Sequence, residues 1–257
     1  MSRVDIYIDP SRPRLRIKPL KAMHHMKLLI ADKEDTKHVF YILQALNGGA
    51  VKKNLQRSVS TPKGRARWQE KRALAPLLDD HASFGELQAG SVAQTYVDFM
   101  KREGLTAAGL VEESEIRLAD EPHYEDDIYW FGNRLRDTHD MFHVLSGYGR
   151  DGLGEAALLT FSSQQNPNRG ASFISHMGFR EMRKEFGHLV DLNAVKREAR
   201  EHGKIAEKIV DQDILSLLDK PLQEVREALN IKPPVAYRTA LQHLEAMPVE
   251  SWQTFAA

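Results

Sequence analysis

Two histidines four residues apart, His139 and His143, are the pair in this sequence best suited to metal chemistry. On an α-helix that separation is about 40° around the axis and one turn along it, so both imidazoles can reach one ion. Asp140 lies at the edge of the same helical face, where its carboxylate can act as a third ligand. Glu155 can face back toward the histidines if the chain reverses before it. We therefore predict a divalent metal site formed by His139, Asp140, His143 and Glu155.

Glycines between the histidines and Glu155 allow the chain to reverse. Gly147 and Gly149 flank Tyr148, and two more glycines follow before Glu155. Two imidazoles and two carboxylates suit zinc, iron(II) or manganese, and magnesium less obviously. The alternative is a buried hydrogen-bonded network without an ion. Because burying two carboxylates without a cation is costly, a metal is the better explanation if the cluster is buried.

Composition limits the classes of protein to which this chain can belong. It has no cysteine, which excludes thiolate metal sites, disulfides and cysteine nucleophiles. The formal net charge of +0 argues against a nucleic-acid-binding protein. The sequence has no apolar run long enough to span a bilayer, and residues 1–21 lack the apolar block of a secretory signal. We therefore expect an intracellular protein without a transmembrane helix.

The elements that must position these residues are predicted to be helices. Apolar residues recur at three- and four-residue steps, which predicts an all-α fold in a single domain, residues 1–257. Residues 1–22 are expected to form an irregular basic arm, with a strand-like stretch at 4–8, and residues 61–64 a loop. The predicted helices cover residues 24–30, 36–46, 92–100, 128–145, 155–161, 172–186, 192–210, 222–229 and 237–247.

The motif resembles the signature of a known family. The spacing H-D-x-x-H, followed by eleven residues and a glutamate, is similar to that of the Coq-four family of ubiquinone (coenzyme Q) biosynthesis proteins. The arginines at 134 and 136 resemble the family's lead-in, and the GYGRD–GE run at 147–155 resembles the stretch after it. Residues 84–96 and 224–231 show a weaker likeness. The N-terminal arm and residues 233–257, which we take as a C-terminal extension, match least.

This resemblance implies a function as well as a fold. Members are α-helical, bind a divalent metal through the motif, and are associated with a membrane-bound complex and long prenyl chains. The resemblance further implies oxidative decarboxylation, with hydroxylation at the same carbon, of a polyprenylated hydroxybenzoate ring. The expected partners are a polyprenylated aromatic quinone precursor, other ubiquinone biosynthesis proteins and the membrane surface, but no nucleic acid. We expect a cytoplasmic protein or one peripheral on the inner membrane, with a homodimer as the default assembly.

Further residues near the motif are candidates for contact with the substrate. Arg150 can pair with a substrate carboxylate in a bidentate way, and we count it with the four motif residues as catalytic. Arg134 and Arg136 are second choices for the same task. Tyr148 can donate a hydrogen bond to a ring hydroxyl, and Phe142 can line an apolar groove for the prenyl tail. The alternative for the arginines is a surface charge or a salt bridge, and for the two aromatic residues ordinary packing.

Two other functions remain open from the sequence. A non-catalytic organiser would use a structural metal while it holds a prenylated intermediate and pathway proteins at the membrane surface. An HD-type phosphohydrolase, which also carries a His-Asp pair, would need a further upstream histidine and downstream aspartate. His123 and Asp191 can be nominated, but their spacing fits poorly and Glu155 would have no role.

Overall fold

The computed structural model describes residues 4–14, 16–32, 35, 37–118, 122 and 124–247. Within these residues regular structure is helical, and the only β-type pairing is an isolated bridge. The predicted all-α fold is confirmed.

No helix in the described stretches is both long and apolar enough to cross a membrane. In chain order the α-helices are α1 (Pro19–Ala31), α2 (Lys37–Asn47), α3 (Ala50–Ser60), α4 (Pro62–Glu70), α5 (Ala75–Asp79), α6 (Val92–Glu103), α7 (Ala107–Leu118), α8 (Asp127–Asp137), α9 (His139–Ser146), α10 (Gly152–Gln165), α11 (Arg169–Phe186), α12 (Leu192–Ile205), α13 (Leu222–Ala228) and α14 (Val235–Glu245).

The loop predicted at residues 61–64 is wrong, because this stretch starts α4. Thr61 is the N-cap, and its hydroxyl accepts a hydrogen bond from the Gly64 N–H at 3.0 Å. Pro62 follows as the first helical residue, where its missing N–H costs no hydrogen bond. Gly64 is required by close packing, since a Cβ there would lie 2.2 Å from the Ser58 carbonyl oxygen. The Thr-Pro pair therefore marks a helix start.

The single helix predicted over residues 128–145 is two helices in the structure. α8 ends at Asp137 and α9 begins at His139, with Thr138 between them. The Thr138 hydroxyl donates to the Arg134 carbonyl at 2.8 Å and so competes with the backbone for that acceptor. The break sets the start of the helix that carries both histidines.

The described part of the N-terminal arm is irregular ahead of α1, as predicted, but it contains no strand. The strand-like pattern at residues 4–8 forms no β-structure, and the Tyr7 N–H donates instead to Asp127 Oδ2 at 2.7 Å. The Arg12 guanidinium binds both carboxylate oxygens of Asp126, at 2.6 and 2.7 Å. α1 begins at Pro19, inside the range predicted for the arm. Residues 1–3 and 15 of the arm lie outside the described residues.

Contacts divide the chain into two compact units, each built from three stretches of sequence. The first comprises residues 1–16, 48–145 and 208–229, and the second 17–47, 146–207 and 230–257. The assignment of residues 1–257 to one domain stays a prediction. Of the predicted C-terminal extension, α14 belongs to the second unit, and residues 248–257 lie outside the described residues.

Each unit has its own apolar core and its own close contacts between elements. In the first, the Arg134 guanidinium donates to the carbonyls of Val210 and Gln212, both at 2.7 Å. In the second, α12 packs closely on α10, and a Cβ at Gly203 would lie 2.4 Å from the Phe161 carbonyl oxygen. Clusters of buried apolar side chains include Leu55, Val59, Phe131 and Val210 in the first unit and Ala22, Met26, Ile42, Ala45, Leu46 and Met177 in the second.

Candidate metal centre

Both histidines of the motif lie on α9, one turn apart. The ring centroids of His139 and His143 are 5.0 Å apart, and the ring planes are nearly perpendicular at 89°. His143 is only 2% exposed. The Phe99 ring of α6 stacks on the His143 imidazole at 5.5 Å, with 25° between the planes. Packing by α6 therefore limits the rotation of this imidazole.

The C-terminal end of α9 is held by an arginine from α13. The last carbonyls of a helix have no partner within the helix and need donors from elsewhere. Arg226 supplies them, with Nε donating to the Leu145 carbonyl at 2.9 Å and Nη2 to the Val144 carbonyl at 3.0 Å. Gly147 then takes a φ of +80°, a conformation that favours glycine and ends the helix. This end of α9 is therefore fixed by a side chain distant in sequence.

The turn between α9 and α10 is closed by the hydroxyl of Tyr237. The Gly149 N–H donates to that hydroxyl at 2.9 Å, and the hydroxyl donates in turn to Asp151 Oδ2. A Cβ on Gly149 would lie 2.6 Å from the Tyr237 oxygen and 2.7 Å from Asp151 Oδ2, so any side chain here would displace this hydrogen-bonded pair. Burial raises the pKa of Tyr237, which keeps the phenol protonated and able to donate.

Asp151 links this turn to the helix that carries Glu155. Its Oδ1 accepts from the N–H groups of Leu153 and Gly154, at 3.1 and 2.9 Å, and so caps α10. Burial raises the pKa of Asp151, while the hydrogen bonds to its carboxylate partly offset the rise. Gly154 packs directly on Gly149, whose carbonyl oxygen would lie 2.2 Å from an added Cβ. Glu155 consequently lies in the first turn of α10, where its backbone position is fixed.

Three of the four predicted ligands lie close together. One ligand atom each from His139, His143 and Glu155 can be chosen so that all lie within 4.8 Å of one another. Two ligands on opposite sides of an ion at 2.0–2.2 Å are about 4.0–4.4 Å apart, so this spacing fits a metal after small side-chain adjustments. Two imidazole nitrogens and one carboxylate oxygen are a donor set suited to zinc, iron(II) or manganese. The residues present therefore fit a divalent ion.

Asp140, the fourth predicted ligand, is not part of this close group. It lies beside His139 on α9 and is 7% exposed. Its charge acts on the buried hydroxyl of Tyr96, a residue of α6. Direct ligation by Asp140 stays a prediction.

The other predicted site residues have varied environments. Arg150 is exposed. Arg134 is buried and bound to backbone carbonyls in its own unit, as described above, and burial lowers its pKa to about 10. Arg136 donates to Ser114 Oγ at 2.7 Å and pairs with the neighbouring Asp137. Phe142 and Tyr148 are 4% and 2% exposed, with the Tyr148 ring against those of Phe161 and Tyr237.

Sequence reasoning missed four residues that shape this region: Tyr96, Phe99, Arg226 and Tyr237. Each acts across a large sequence separation, 88 residues in the case of Tyr237 and Gly149. Arg226 belongs to residues 224–231, which weakly resemble the family. That likeness marked the stretch but did not indicate what Arg226 contacts. Tyr237 lies in the predicted C-terminal extension, to which the resemblance assigned nothing.

A family model described as "Coenzyme Q (ubiquinone) biosynthesis protein Coq4" matches residues 23–235 of this chain. The matched stretch covers more than half of the sequence and contains the whole motif. The chain belongs to the Coq4 family. Residues 1–22 and 236–257 fall outside the match, so Tyr237 supports the motif turn from just beyond it.

Several curated relatives of this chain come from fungi. The chain is 24% identical over 183 residues to the mitochondrial ubiquinone biosynthesis protein COQ4 of Podospora anserina, covering 70% of this chain and 57% of that protein. It is 25% identical over 182 residues to the mitochondrial COQ4 of Ajellomyces capsulatus, covering 70% of this chain and 62% of that one. The chain thus spans about three fifths of the length of these relatives.

A solved structure shares the fold. The crystal structure of a protein described as a candidate ubiquinone biosynthesis protein from Nostoc punctiforme superposes with a TM-score of 0.62 at 20% identity. The superposition covers 84% of this chain and all of the other, 100%. At this identity the likeness concerns the fold alone.

Of the two residues nominated for a phosphohydrolase, Asp191 is described by the structure and His123 is not. Asp191 is exposed and caps α12 by accepting from the Ala194 N–H at 2.9 Å. His123 lies outside the described residues. Membership of the Coq4 family favours the other two functions over this one.

Proposed function

We propose that this protein is a metal-dependent enzyme of ubiquinone biosynthesis. Its reaction is the oxidative decarboxylation of a polyprenylated hydroxybenzoate-type ring, with hydroxylation of the carbon that loses the carboxyl group. The observation that carries the proposal is the close grouping of His139, His143 and Glu155 in a chain of the Coq4 family. A carbon–carboxyl bond is replaced by a carbon–oxygen bond and carbon dioxide leaves. This is a net two-electron oxidation, so an oxidant such as dioxygen must be consumed.

The motif residues would hold the ion and leave positions open for a substrate. His139, His143 and Glu155 supply three ligand atoms, and Asp140 adds a carboxylate beside them. A divalent ion in such a site acts as a Lewis acid toward a carboxylate or phenolate oxygen. Zinc, iron and manganese all fit this donor set. The stack of Phe99 on His143 and the turn closed by Tyr237 keep the ligands in position without the substrate.

We assign the substrate carboxylate to Arg150. Arg150 is exposed next to the motif turn, whereas the guanidinium of Arg134 is buried and bound to backbone carbonyls. A guanidinium pairs with a carboxylate through two parallel hydrogen bonds, which orients the group to be lost. Phe142 and Tyr148 would contribute to the walls around the ring. Arg150→Met should raise the KM for the substrate and leave the metal content unchanged.

The decisive experiment combines metal content with turnover. Purified wild-type protein and the His143→Ala variant are compared by elemental analysis, with His243→Ala, an exposed histidine, as the control. All three samples then receive a geranyl-substituted para-hydroxybenzoate in air, and mass spectrometry follows the ring product and released carbon dioxide. We expect one ion per chain and product formation in wild type and control, and neither in His143→Ala. Full activity in His143→Ala would refute the mechanism.

The same assay separates the enzyme from the non-catalytic organiser. An organiser would contain a stoichiometric ion closed by protein atoms and would bind the prenylated ring without converting it. Water exchange at the ion, measured by relaxation of solvent protons in the manganese-substituted protein, distinguishes the two. Fast exchange with turnover supports the enzyme, and binding without exchange or turnover supports the organiser.

We further propose that α1 contacts an anionic membrane surface, from which a prenylated substrate could be drawn. Leu20, Met23 and Ile30 lie on the outer side of this helix and are 88%, 42% and 41% exposed. Lys21 and Lys27 are exposed on the same helix. Apolar side chains interleaved with lysines are typical of helices that lie in the interface of anionic bilayers.

Vesicle sedimentation tests the membrane contact. Wild-type protein should sediment with vesicles that contain phosphatidylglycerol and much less with vesicles of phosphatidylcholine alone. The double variant Leu20→Glu, Met23→Glu should no longer sediment with the vesicles. The control is Leu77→Glu, because Leu77 on α5 is also apolar and is 40% exposed. This control should sediment like wild type. Equal sedimentation of both variants would rule out α1 as the contact.

A further inference from the structure

A tyrosine beside the motif has a buried hydroxyl to which no described residue supplies a hydrogen-bond partner. Tyr96 of α6 is 0% exposed. Among the residues that the structure describes, nothing forms a hydrogen bond with its hydroxyl. Burying a hydroxyl without a partner is unfavourable, so such groups usually bind a ligand or an ordered water.

The position of Tyr96 connects it to the candidate metal centre. Phe99, one turn further along α6, stacks on the metal-site residue His143. Three acidic residues act electrostatically on the Tyr96 hydroxyl, and Asp140 of the motif has the largest effect. The other two have their own partners: Asp79 caps α7, and Asp137 pairs with Arg136. Tyr96 and Phe99 therefore lie on the same helix, and that helix packs against the motif histidine His143.

A second buried polar atom, on the ring next to that of Tyr96, also has no hydrogen-bond partner among the described residues. The imidazole of His81 stands edge-on to the Tyr96 ring, with 6.1 Å between centroids and 88° between planes. Its Nε2 is buried and, among the described residues, accepts or donates no hydrogen bond. These two unsatisfied polar atoms lie on neighbouring rings, and one of the rings belongs to the helix that packs against His143. They indicate a place where an oxygen atom of a ligand can bind.

We propose that the Tyr96 hydroxyl donates a hydrogen bond to the ring oxygen of the aromatic substrate and so selects hydroxylated rings. The proposal rests on the proposed function for its substrate class. A tyrosine suits this task because its phenol, buried among acidic residues, stays protonated and can donate. A site built around such a donor rejects the analogue that lacks the oxygen, since the donor is then left buried and unpaired.

The test compares two probes and four proteins. One probe is a geranyl-substituted para-hydroxybenzoate, and the other is the same molecule without the ring hydroxyl. Dissociation constants are measured by calorimetry on metal-loaded wild type, Tyr96→Phe and Tyr7→Phe, the last being a tyrosine 56% exposed. The fourth protein, Tyr237→Phe, removes a hydroxyl that does have partners. Metal content and melting temperature are recorded for all four.

We expect wild type and Tyr7→Phe to bind the hydroxylated probe at least about tenfold more tightly than its analogue. Tyr96→Phe should lose this preference while it keeps its metal, and its melting temperature should be unchanged or higher, because an unsatisfied hydroxyl has been removed. Tyr237→Phe should melt at a lower temperature. Retained preference in Tyr96→Phe, which a bound water alone would produce, overturns the proposal, as does a wild type without preference. A wild type that shows the preference but forms no product would refute the proposed reaction and leave the Tyr96 contact standing.

Discussion

The hydroxyl of Tyr237 bridges Gly149 and Asp151 across separations of 88 and 86 residues. It accepts from the Gly149 N–H and donates to the Asp151 carboxylate, the same carboxylate that caps the helix bearing Glu155. A side chain from α14 therefore determines the shape of the glycine-rich turn that separates the motif histidines from their carboxylate partner.

Tyr237→Phe should destabilise the fold by about 1–3 kcal/mol, because it leaves a partly buried N–H and a partly buried carboxylate short of one partner. Thermal unfolding followed by circular dichroism measures the change. Tyr7→Phe alters an exposed tyrosine and should leave the melting temperature where it is. An unaltered melting temperature in Tyr237→Phe would mean that the bridge contributes nothing to stability.

Gly154→Ala should lower both stability and metal content. The added Cβ would lie 2.2 Å from the Gly149 carbonyl oxygen, so the turn before Glu155 must shift, at a cost of about 1–3 kcal/mol. Gly178→Ala is the matched control in α11, where the Cβ would meet Ala156 at an ordinary 3.5 Å. Since alanine favours helix more than glycine, the control should be neutral or slightly stabilising. Equal behaviour of the two variants would contradict the role of close packing at Gly154.

Arg12→Gln should make the protein more sensitive to acid. Burial raises the pKa of Asp126, but hydrogen bonds from the Arg12 guanidinium and from two backbone N–H groups lower it below its ordinary value. An acid with a lowered folded pKa adds stability above its unfolded pKa, and this is lost as the pH falls through the folded pKa. Without Arg12 the folded pKa rises, so the loss begins at a higher pH.

The measurement for Arg12 is an acid titration monitored by tryptophan fluorescence. The midpoint for Arg12→Gln should lie at a higher pH than that of wild type. Arg14→Gln, an exposed arginine of the same arm, serves as the control and should titrate like wild type. A midpoint shared by all three proteins would show that Arg12 does not protect Asp126.

Glu155→Gln should reduce metal affinity far more than Asp140→Asn. Glu155 belongs to the close group with both histidines, whereas Asp140 does not. Loss of a direct ligand should weaken binding by more than about 100-fold, and loss of a neighbouring carboxylate by about tenfold. Competition with a chromophoric chelator gives the affinities, with Glu201→Gln on the exposed face of α12 as control. Equal losses in the two variants would make Asp140 a ligand of the same rank as Glu155.

The helical class and most of the motif could be predicted because they depend on neighbours in the sequence. Apolar periodicity indicates helices, and a four-residue step puts His139 and His143 on one face whatever surrounds them. The conformational freedom of Gly147 likewise predicts that α9 ends where it does. The errors at Thr61 and Thr138 were local too, since a threonine can cap or interrupt a helix and periodicity does not detect this.

The sequence by itself determined which residue types could bind a metal, and only the tertiary structure decided which of them come together. It groups Glu155 with the histidines and leaves Asp140 outside that group. It also brings Tyr96 beside the motif and the Tyr237 hydroxyl into a hydrogen bond with Gly149 in the turn before α10. These contacts depend on how helices far apart in the chain pack. Bringing such distant segments together costs entropy, and the burial of whole helical faces offsets that cost. The residue pattern of one helix does not specify which other helix will cover its apolar face.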